Sequence, residues 1–133
     1  MTEDEMRQIV LSFPSAEEGT SFGKPAFLVN KKFFTRLRRQ DRSLVLMDVS
    51  FDEREMLMEA EPATFHITAH YKDYSAVLAR IATLHPGSFR NFLERRWRKI
   101  APKKLVKGWE TGSLSPVSTR ERVLRRDSGG LDP

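Results

Sequence analysis

The sequence predicts an α+β domain in which helices cover one face of an antiparallel sheet. Three observations predict this fold: helical periodicity near both ends of the chain, strand-like runs between polar turns, and a length of 133 residues that suits one core. The expected order is helix, three strands, helix, two strands, helix, in two layers. Residues 1–109 should form this domain, whereas residues 110–133 are poor in apolar side chains and are predicted to be a disordered tail.

The first helix is predicted from apolar residues that recur on one face of a 3.6-residue period. These residues are Met6, Ile9, Val10 and Phe13. Thr2 and Glu5 have the spacing of a capping box, in which each side chain satisfies a free backbone donor of the other residue. Pro14 cannot continue the helix, so the helix should end before it.

Three strands should follow as an antiparallel meander, because short apolar runs alternate with polar turns. The predicted strands are 26–29, 33–38 and 44–47, with turns at 30–32 and 40–43. Ahead of this meander, residues 17–19 are predicted to form a turn and residues 20–22 a short strand, which residues 23–25 interrupt.

A second helix is predicted after Ser50, because Ser50 and Glu53 repeat the capping-box spacing. Two further strands are expected at 64–68 and 76–84, joined by an aromatic, polar loop at 69–74. The Ala and Leu content of the second of these strands would also suit a helix.

The last helix should begin at Pro86, since proline suits a first turn, and should end at Pro102. Its apolar stripe consists of Phe89, Phe92, Leu93, Trp97 and Ile100. Arg96 falls inside this stripe, so its charge must either reach solvent along the stem or pair with a carboxylate.

Four segments share their order and spacing with one family of small bacterial proteins. They are Glu-Glu-Gly-Thr-Ser-Phe-Gly-Lys-Pro-Ala-Phe at 17–27, Lys-Phe-Phe-Thr-Arg-Leu at 32–37, His-Tyr at 70–71 and Trp-Arg-Lys-Ile-Ala-Pro-Lys-Lys-Leu at 97–105. Over residues 2–107 the chain therefore resembles the MmcQ/YjbR family. The resemblance implies the same element order, in a fold related to secretion-chaperone-like and frataxin-like folds. It also implies a double-wing arrangement, for which family members are often described as DNA-binding, but it supplies no catalytic residues.

Composition and charge narrow the classes of function. The chain has 23 Lys and Arg against 18 Asp and Glu, a formal net charge of +5, which favours polyanionic partners. It has no cysteine, its N-terminus is acidic rather than basic, and no apolar run approaches the length of a membrane span. These features predict a cytoplasmic protein without a membrane segment.

Two basic clusters are candidate contacts for the phosphate backbone of DNA or RNA. The first lies on the last helix and its extension and contains Arg90, Arg95, Arg98, Lys99, Lys103 and Lys104; the second lies on the meander and contains Lys31, Lys32, Arg36 and Arg38. Arg90, Arg95, Arg98 and Lys99 lie away from the apolar stripe and are predicted to be free to bind phosphate. Strand alternation places Arg36 and Arg38 on one face. A solvated helix face and protection of sheet edges explain the clusters about as well, unless the two share a surface.

A small-ligand pocket is a further candidate in the aromatic loop. Its predicted lining is Lys24, His70, Tyr71, Lys72 and Tyr74. The three histidines lack the spacing of a metal site, and the chain contains neither a Gly-x-Ser-x-Gly motif nor a phosphate-binding loop. We therefore predict no metal, no cofactor and no enzymatic activity.

Three hypotheses of function remain. The leading hypothesis is a non-enzymatic nucleic-acid-binding protein that contacts backbone phosphate through the basic last helix. The alternative is a protein-interaction or chaperone-like module, monomeric or homodimeric, whose charge recruits an acidic protein partner. The third is ligand binding or enzymatic activity near His70 and Tyr71.

Overall fold

The computed structural model describes residues 1–110 and confirms the α+β class. In chain order the elements are α1 (Glu3–Leu11), β1 (Ala16–Ser21), β2 (Lys24–Val29), β3 (Lys32–Thr35), β4 (Leu37–Arg38), β5 (Ser43–Met47), α2 (Phe51–Ala60), β6 (Phe65–His66), a 3₁₀ turn (Ala69–Tyr71), β7 (Ala76–Arg80), α3 (Pro86–Ile100) and α4 (Lys103–Glu110). Apart from Glu110, the predicted tail lies outside the described residues.

Local hydrogen bonds explain where the helices begin. Both halves of the predicted capping box form at α1: the Thr2 N–H donates to Glu5 Oε1 at 2.8 Å, and the Glu5 N–H donates to Thr2 Oγ1 at 3.1 Å. Ser50 accepts from the Glu53 N–H at 3.1 Å ahead of α2. At α3 the cap is His85, whose Nδ1 accepts from the Gly87 N–H at 3.0 Å. Each bond satisfies a backbone donor that the first helical turn leaves free.

The strands form two antiparallel sheets, β1-β2-β3 and β4-β5-β7-β6, where the sequence predicted one. The chain passes from one sheet to the other at Arg36, the single residue between β3 and β4. The β2–β3 register shifts just before this point, and such a shift bends a strand. Two bonds join the sheets there: the Val45 N–H donates to Arg36 O at 3.0 Å, and Thr35 Oγ1 donates to Val45 O at 2.7 Å.

The β1–β2 hairpin is longer than predicted. Residues 17–19, expected to form a turn, are paired with β2, and the turn lies at Phe22 and Gly23. Both turn residues have positive φ, 52° and 76°, as in a type I′ turn. Pairing with the apolar strand β2 therefore overrides the local turn preference of Glu-Glu-Gly. A Cβ on Gly19 would lie 2.9 Å from Leu28 Cδ1, so a larger residue in β1 would require the Leu28 side chain to move.

The β2–β3 hairpin has its turn where the sequence predicted one, but the turn is one residue shorter than the predicted 30–32 because Lys32 belongs to β3. Val29 pairs with Lys32, so Asn30 and Lys31 form a two-residue loop with φ of 55° and 64°. This is again a type I′ turn, in which the second position usually holds glycine. Lys31 therefore occupies a conformation that L-residues adopt at some cost.

The hydrophobic core lies where α1 and α3 pack against the sheets. The predicted apolar stripe of α3 is entirely buried, and Trp97 Nε1 donates to Pro14 O at 2.9 Å. Helix α4 was not predicted, because Pro102 was expected to end helical structure. Its Trp109 stacks on Phe13 with ring centroids 5.4 Å apart, which attaches α4 to the end of α1.

Sheet β4-β5-β7-β6 is also buried on its opposite face. Val45 and Leu78 pair across β5 and β7 on that face and are 1% and 0% exposed. The same face carries Arg38 and Ser43, and the ring of Tyr71 lies 5.6 Å from the Arg38 guanidinium carbon. This face is therefore polar at one end and covered, and it offers no open aromatic platform.

Arg54 fixes the loop between β6 and β7. It is 7% exposed, and its guanidinium donates four hydrogen bonds of 2.9–3.2 Å to backbone carbonyls. The acceptors are Tyr71, Lys72, Tyr74 and Ala76. The charge of Arg54 is thus compensated by backbone dipoles, and the loop conformation depends on one side chain from α2.

We expect Arg54→Met to lower the free energy of unfolding by about 1–3 kcal/mol, because the apolar stem remains while four carbonyls lose their donor. Urea unfolding monitored by circular dichroism measures this change. Arg90→Met is the matched control, since the Arg90 side chain forms no hydrogen bond or ion pair within residues 1–110; its effect should stay within about 0.5 kcal/mol. Equal losses in the two variants would contradict the role given to Arg54.

Candidate nucleic-acid interface

Three of the four α3 cations predicted to be free, Arg95, Arg98 and Lys99, are paired with carboxylates within the protein, so the prediction is wrong for these three. Arg90 forms no ion pair within residues 1–110. Arg95 forms a bidentate pair with Glu53, at 2.8 and 3.0 Å, and this pairing raises the pKa of Arg95. Arg98 donates to Glu94 at 3.0 Å and to Glu110 at 2.8 Å. These arginines can still attract a polyanion, but an added phosphate would compete with a carboxylate that is already bound.

Asp48 neutralises two further cations of α3. Its two carboxylate oxygens accept from Arg96 at 3.1 Å and from Lys99 at 2.9 Å. Burial opposes ionisation of Asp48, but these hydrogen bonds outweigh burial and hold the pKa of the carboxyl below its ordinary value. Arg96 also donates to Phe33 O at 2.9 and 2.7 Å, so the arginine inside the apolar stripe finds the carboxylate it requires. The outer face of α3 is therefore less available than its sequence suggests.

The second predicted cluster is divided by burial. Arg38 is 9% exposed and lies 3.2 Å from Asp41 and over Tyr71, so it cannot present its charge to a phosphate backbone. Arg36 is half-buried at the corner between the sheets. Lys31 and Lys32 are exposed at the β2–β3 turn. Only the two lysines of this cluster are thus freely accessible.

Four exposed lysines lie on two segments that meet at one end of the fold. Asn30 Nδ2 donates to Ile100 O at 3.2 Å, which holds the β2–β3 turn against the C-terminal end of α3. The bond also satisfies a carbonyl that the last helical turn leaves free. Helix α4 begins three residues later, with Lys103 and Lys104 in its first turn. We call this group, Lys31, Lys32, Lys103 and Lys104, the lysine patch.

The lysine patch has a positive potential from two sources. Within residues 1–110 none of its four side chains forms an ion pair, so all four charges remain available. The positive end of the α4 dipole adds to them, and no acidic residue occupies the first turn of α4. Cations at a helix N-terminus are electrostatically unfavourable, so helix stability does not account for Lys103 and Lys104.

A shallow, open depression of about 330 Å³ lies on the outer face of α3. Its lining consists of Asn91, Glu94, Arg95 and Arg98. Because both arginines are already paired with carboxylates, the depression presents a balanced charge rather than a phosphate site.

The structure brings together three of the five residues predicted to line a ligand pocket. The rings of His70 and Tyr71 meet edge to face at 4.7 Å, and Tyr74 lies 5.9 Å from His70 and 6.1 Å from Tyr71. Lys72 is exposed beside them, with its carbonyl bound by Arg54. Lys24 lies at the start of β2, and within the described residues no hydrogen bond or ring contact joins it to the aromatic group.

A serine, a histidine and an aspartate that the sequence did not connect lie close together on the covered face of the second sheet. Ser43 Oγ lies 2.7 Å from His66 Nε2, and Asp41 Oδ2 lies 3.9 Å from the same nitrogen. A catalytic triad instead uses one imidazole nitrogen for the nucleophile and the other for the acid. Ser43 is also fully buried. The arrangement therefore does not support nucleophilic catalysis.

Asp41 and the neighbouring Arg38 each have one buried polar atom without a hydrogen-bond partner. Arg38 Nη1 and Asp41 Oδ1 are buried without a hydrogen-bond partner, although Arg38 Nη1 lies 3.2 Å from Asp41 Oδ2, because its N–H is not directed at that oxygen. Burial, followed by the nearby charge of Arg80, lowers the pKa of His66, and the opposing effect of Asp41 is smaller. The imidazole is consequently held neutral at physiological pH.

The low pKa of His66 predicts that stability falls on acidification. Below the ordinary value of 6.5 an unfolded chain takes up a proton at His66 while the folded chain resists it, so the unfolded state is favoured as pH falls. Urea unfolding between about pH 7.5 and about pH 5 should show a smaller loss of stability for His66→Gln than for the wild-type chain. The remaining titratable groups contribute equally to the wild-type chain and to His66→Gln. Identical pH dependences of the two would therefore contradict this assignment.

Comparisons with known proteins give one match. A family model described as YjbR matches residues 11–99, which is more than half of the chain. No curated protein and no solved structure is significantly similar to the chain. Within residues 1–110, no three side chains of the metal-binding types lie close enough to hold an ion, and no helix has the length and apolar character needed to cross a bilayer.

Proposed function

The chain belongs to the YjbR family, and from this premise and its charge distribution we propose that it is a non-enzymatic nucleic-acid-binding protein. It contacts backbone phosphate through the lysine patch and works in the cytoplasm. The observation that carries the proposal is the Asn30–Ile100 hydrogen bond, because it holds the turn that carries Lys31 and Lys32 against the end of α3, three residues before Lys103. A solvated helix face would explain only the first cluster, and protection of sheet edges only the second. Neither explains why lysines of both clusters lie close to one surface.

The lysine patch suits a phosphate backbone in both charge and mobility. Lysine is a compact charge on a flexible stem, so four lysines can follow phosphates without a fixed fork geometry. Lys31 supports this assignment, because it stands at a position of the type I′ turn where glycine would cost less. The two hairpins, which end at 22–23 and 30–31, are the candidate wings of a double-wing arrangement.

Four phosphate contacts set the expected strength of the salt dependence. Each contact contributes about −0.9 to the slope of log affinity against log salt for duplex DNA. Four contacts therefore give a slope near −3.6, or a loss of affinity of about 150-fold between about 50 mM and about 200 mM salt.

A second candidate function is a protein-interaction module that binds an acidic partner. It is favoured by two large apolar side chains on α2, Phe51 and Met56, which are 50% and 61% exposed. Single exposed apolar residues are common on monomers, so this observation supports the second candidate less strongly than the lysine patch supports nucleic acid.

We expect Lys31→Gln/Lys103→Gln to weaken binding of labelled duplex and single-stranded DNA. The loss of two phosphate contacts should make the salt slope shallower by about 1.8 for duplex DNA and about 1.4 for single strands. Fluorescence anisotropy at several salt concentrations measures both the affinity and the slope.

Lys72→Gln/Arg90→Gln is the matched control, since it removes the same charge away from the patch. Lys72 lies in the β6–β7 loop, and Arg90 is ten residues, about 15 Å, from Ile100 along α3. The control should keep the wild-type salt slope. Equal effects of the two double variants would show that the patch contributes no more to binding than other positive charges do. Absence of binding by the wild-type chain at about 50 mM salt would reject the proposed function.

A further inference from the structure

The tip of the β1–β2 hairpin presents an aromatic ring that the fold does not use. Phe22 is 101% exposed and has φ of 52° in the first position of the two-residue turn. A positive φ is unfavourable for a bulky L-residue, and asparagine or glycine is the usual occupant of this position. Because the ring has no packing contact that offsets this cost within the described residues, folding does not explain a phenylalanine here.

The tip stands clear of the domain and is held in a fixed shape. A Cβ placed on Gly23 would meet nothing within 4 Å, so the turn has open space around it. Ser21 and Lys24 form the last pair of the ladder, and the type I′ turn defines the direction of the tip. Further back, Arg7 binds Glu18 at 2.6 Å and anchors the hairpin to α1. Phe22 is therefore presented at the end of a braced hairpin.

The chemistry around Phe22 fits a nucleobase attached to phosphate. Residues 19–25 contain one cation, the exposed Lys24, and no carboxylate. The nearest carboxylate along the hairpin, Glu18, is already neutralised by Arg7. An exposed ring beside an unpaired cation is suited to a partner that offers a flat aromatic face and a negative charge together.

We propose that Phe22 stacks on a nucleobase, so that nucleic acid is held at both ends of β2, by its phosphates at the lysine patch and by a base at the hairpin tip. This inference rests on the proposed function. The six residues of β2 span about 20 Å, which corresponds to about six base pairs of duplex. The two contacts are far enough apart to contribute independently to binding.

The test compares Phe22→Leu, which keeps an apolar side chain but removes the aromatic face, with Phe22→Trp, which keeps that face. Because the residue is fully exposed, both variants should fold as the wild-type chain does. Stacking on one base is worth about 1–3 kcal/mol, so Phe22→Leu should weaken DNA binding by about 5-fold to about 150-fold, while Phe22→Trp should retain wild-type affinity. The salt slope of Phe22→Leu should be unchanged, since no phosphate contact is lost.

Oligonucleotides in which several bases are replaced by abasic sites provide the second arm. The wild-type chain should bind them as weakly as Phe22→Leu binds intact DNA, and Phe22→Leu should not distinguish the two. Single-stranded and duplex probes, measured separately, show whether the base comes from an open strand or from a disrupted base pair.

Three outcomes would overturn the inference without rejecting the proposed function. Wild-type affinity of Phe22→Leu for both kinds of DNA would remove the base contact while leaving the lysine patch intact. An equal loss on intact and abasic DNA would assign Phe22 to a contact other than a base. A change of oligomeric state in Phe22→Leu, measured by light scattering, would make the tip a contact between copies of the chain. If the wild-type chain binds no nucleic acid, the proposed function fails together with this inference.

Discussion

The fold depends on how Arg96 is accommodated within the apolar stripe of α3. A guanidinium buried in such a stripe destabilises the protein unless it is hydrogen-bonded and neutralised. Phe33 O, from β3, and Asp48, which follows β5, provide these partners. The same side chain thus ties α3 to both sheets. With α3 fixed in this way, the carbonyl of Ile100 accepts a hydrogen bond from Asn30, and this bond brings the β2–β3 turn to the segment that leads into α4.

The use of arginine and lysine differs across the molecule. Within residues 1–110, the cations paired with carboxylates are Arg7, Arg38, Arg39, Arg42, Arg95, Arg96, Arg98 and Lys99. All but one are arginines, whose planar fork suits fixed carboxylate geometry, whereas the lysine patch contains only the more strongly hydrated lysine. Across the described part of the chain, arginine therefore mainly stabilises the tertiary structure, whereas the four lysines of the lysine patch form no ion pair there.

Local patterns predicted most of the fold, because caps and apolar periodicity act over a few residues. Thr2 with Glu5 and the stripe of α3 are of this kind. The prediction failed where distant partners decide the structure: Glu17 to Gly19 joined β1 because β2 lies beside them, and α4 formed after Pro102 because Trp109 has Phe13 to pack against. A spacing of apolar residues at Leu105, Val106 and Trp109 was the available indication of α4. For the candidate site, sequence identified the lysines but not the carboxylates that neutralise Arg95 and Lys99, since those lie more than forty residues away.

Strand β2 is bounded at both ends by two-residue turns, and this restricts how its length can vary. Neither turn has a spare residue that could absorb an insertion. Adding one residue to the strand would exchange its buried and exposed faces, whereas adding two would preserve the faces and lengthen the hairpin by about 7 Å. Relatives should therefore differ in this segment by even numbers of residues, unless a β-bulge like the one in the β2–β3 pairing absorbs an odd residue. Without such a bulge, the distance between the two turns can change in evolution only in steps of about 7 Å.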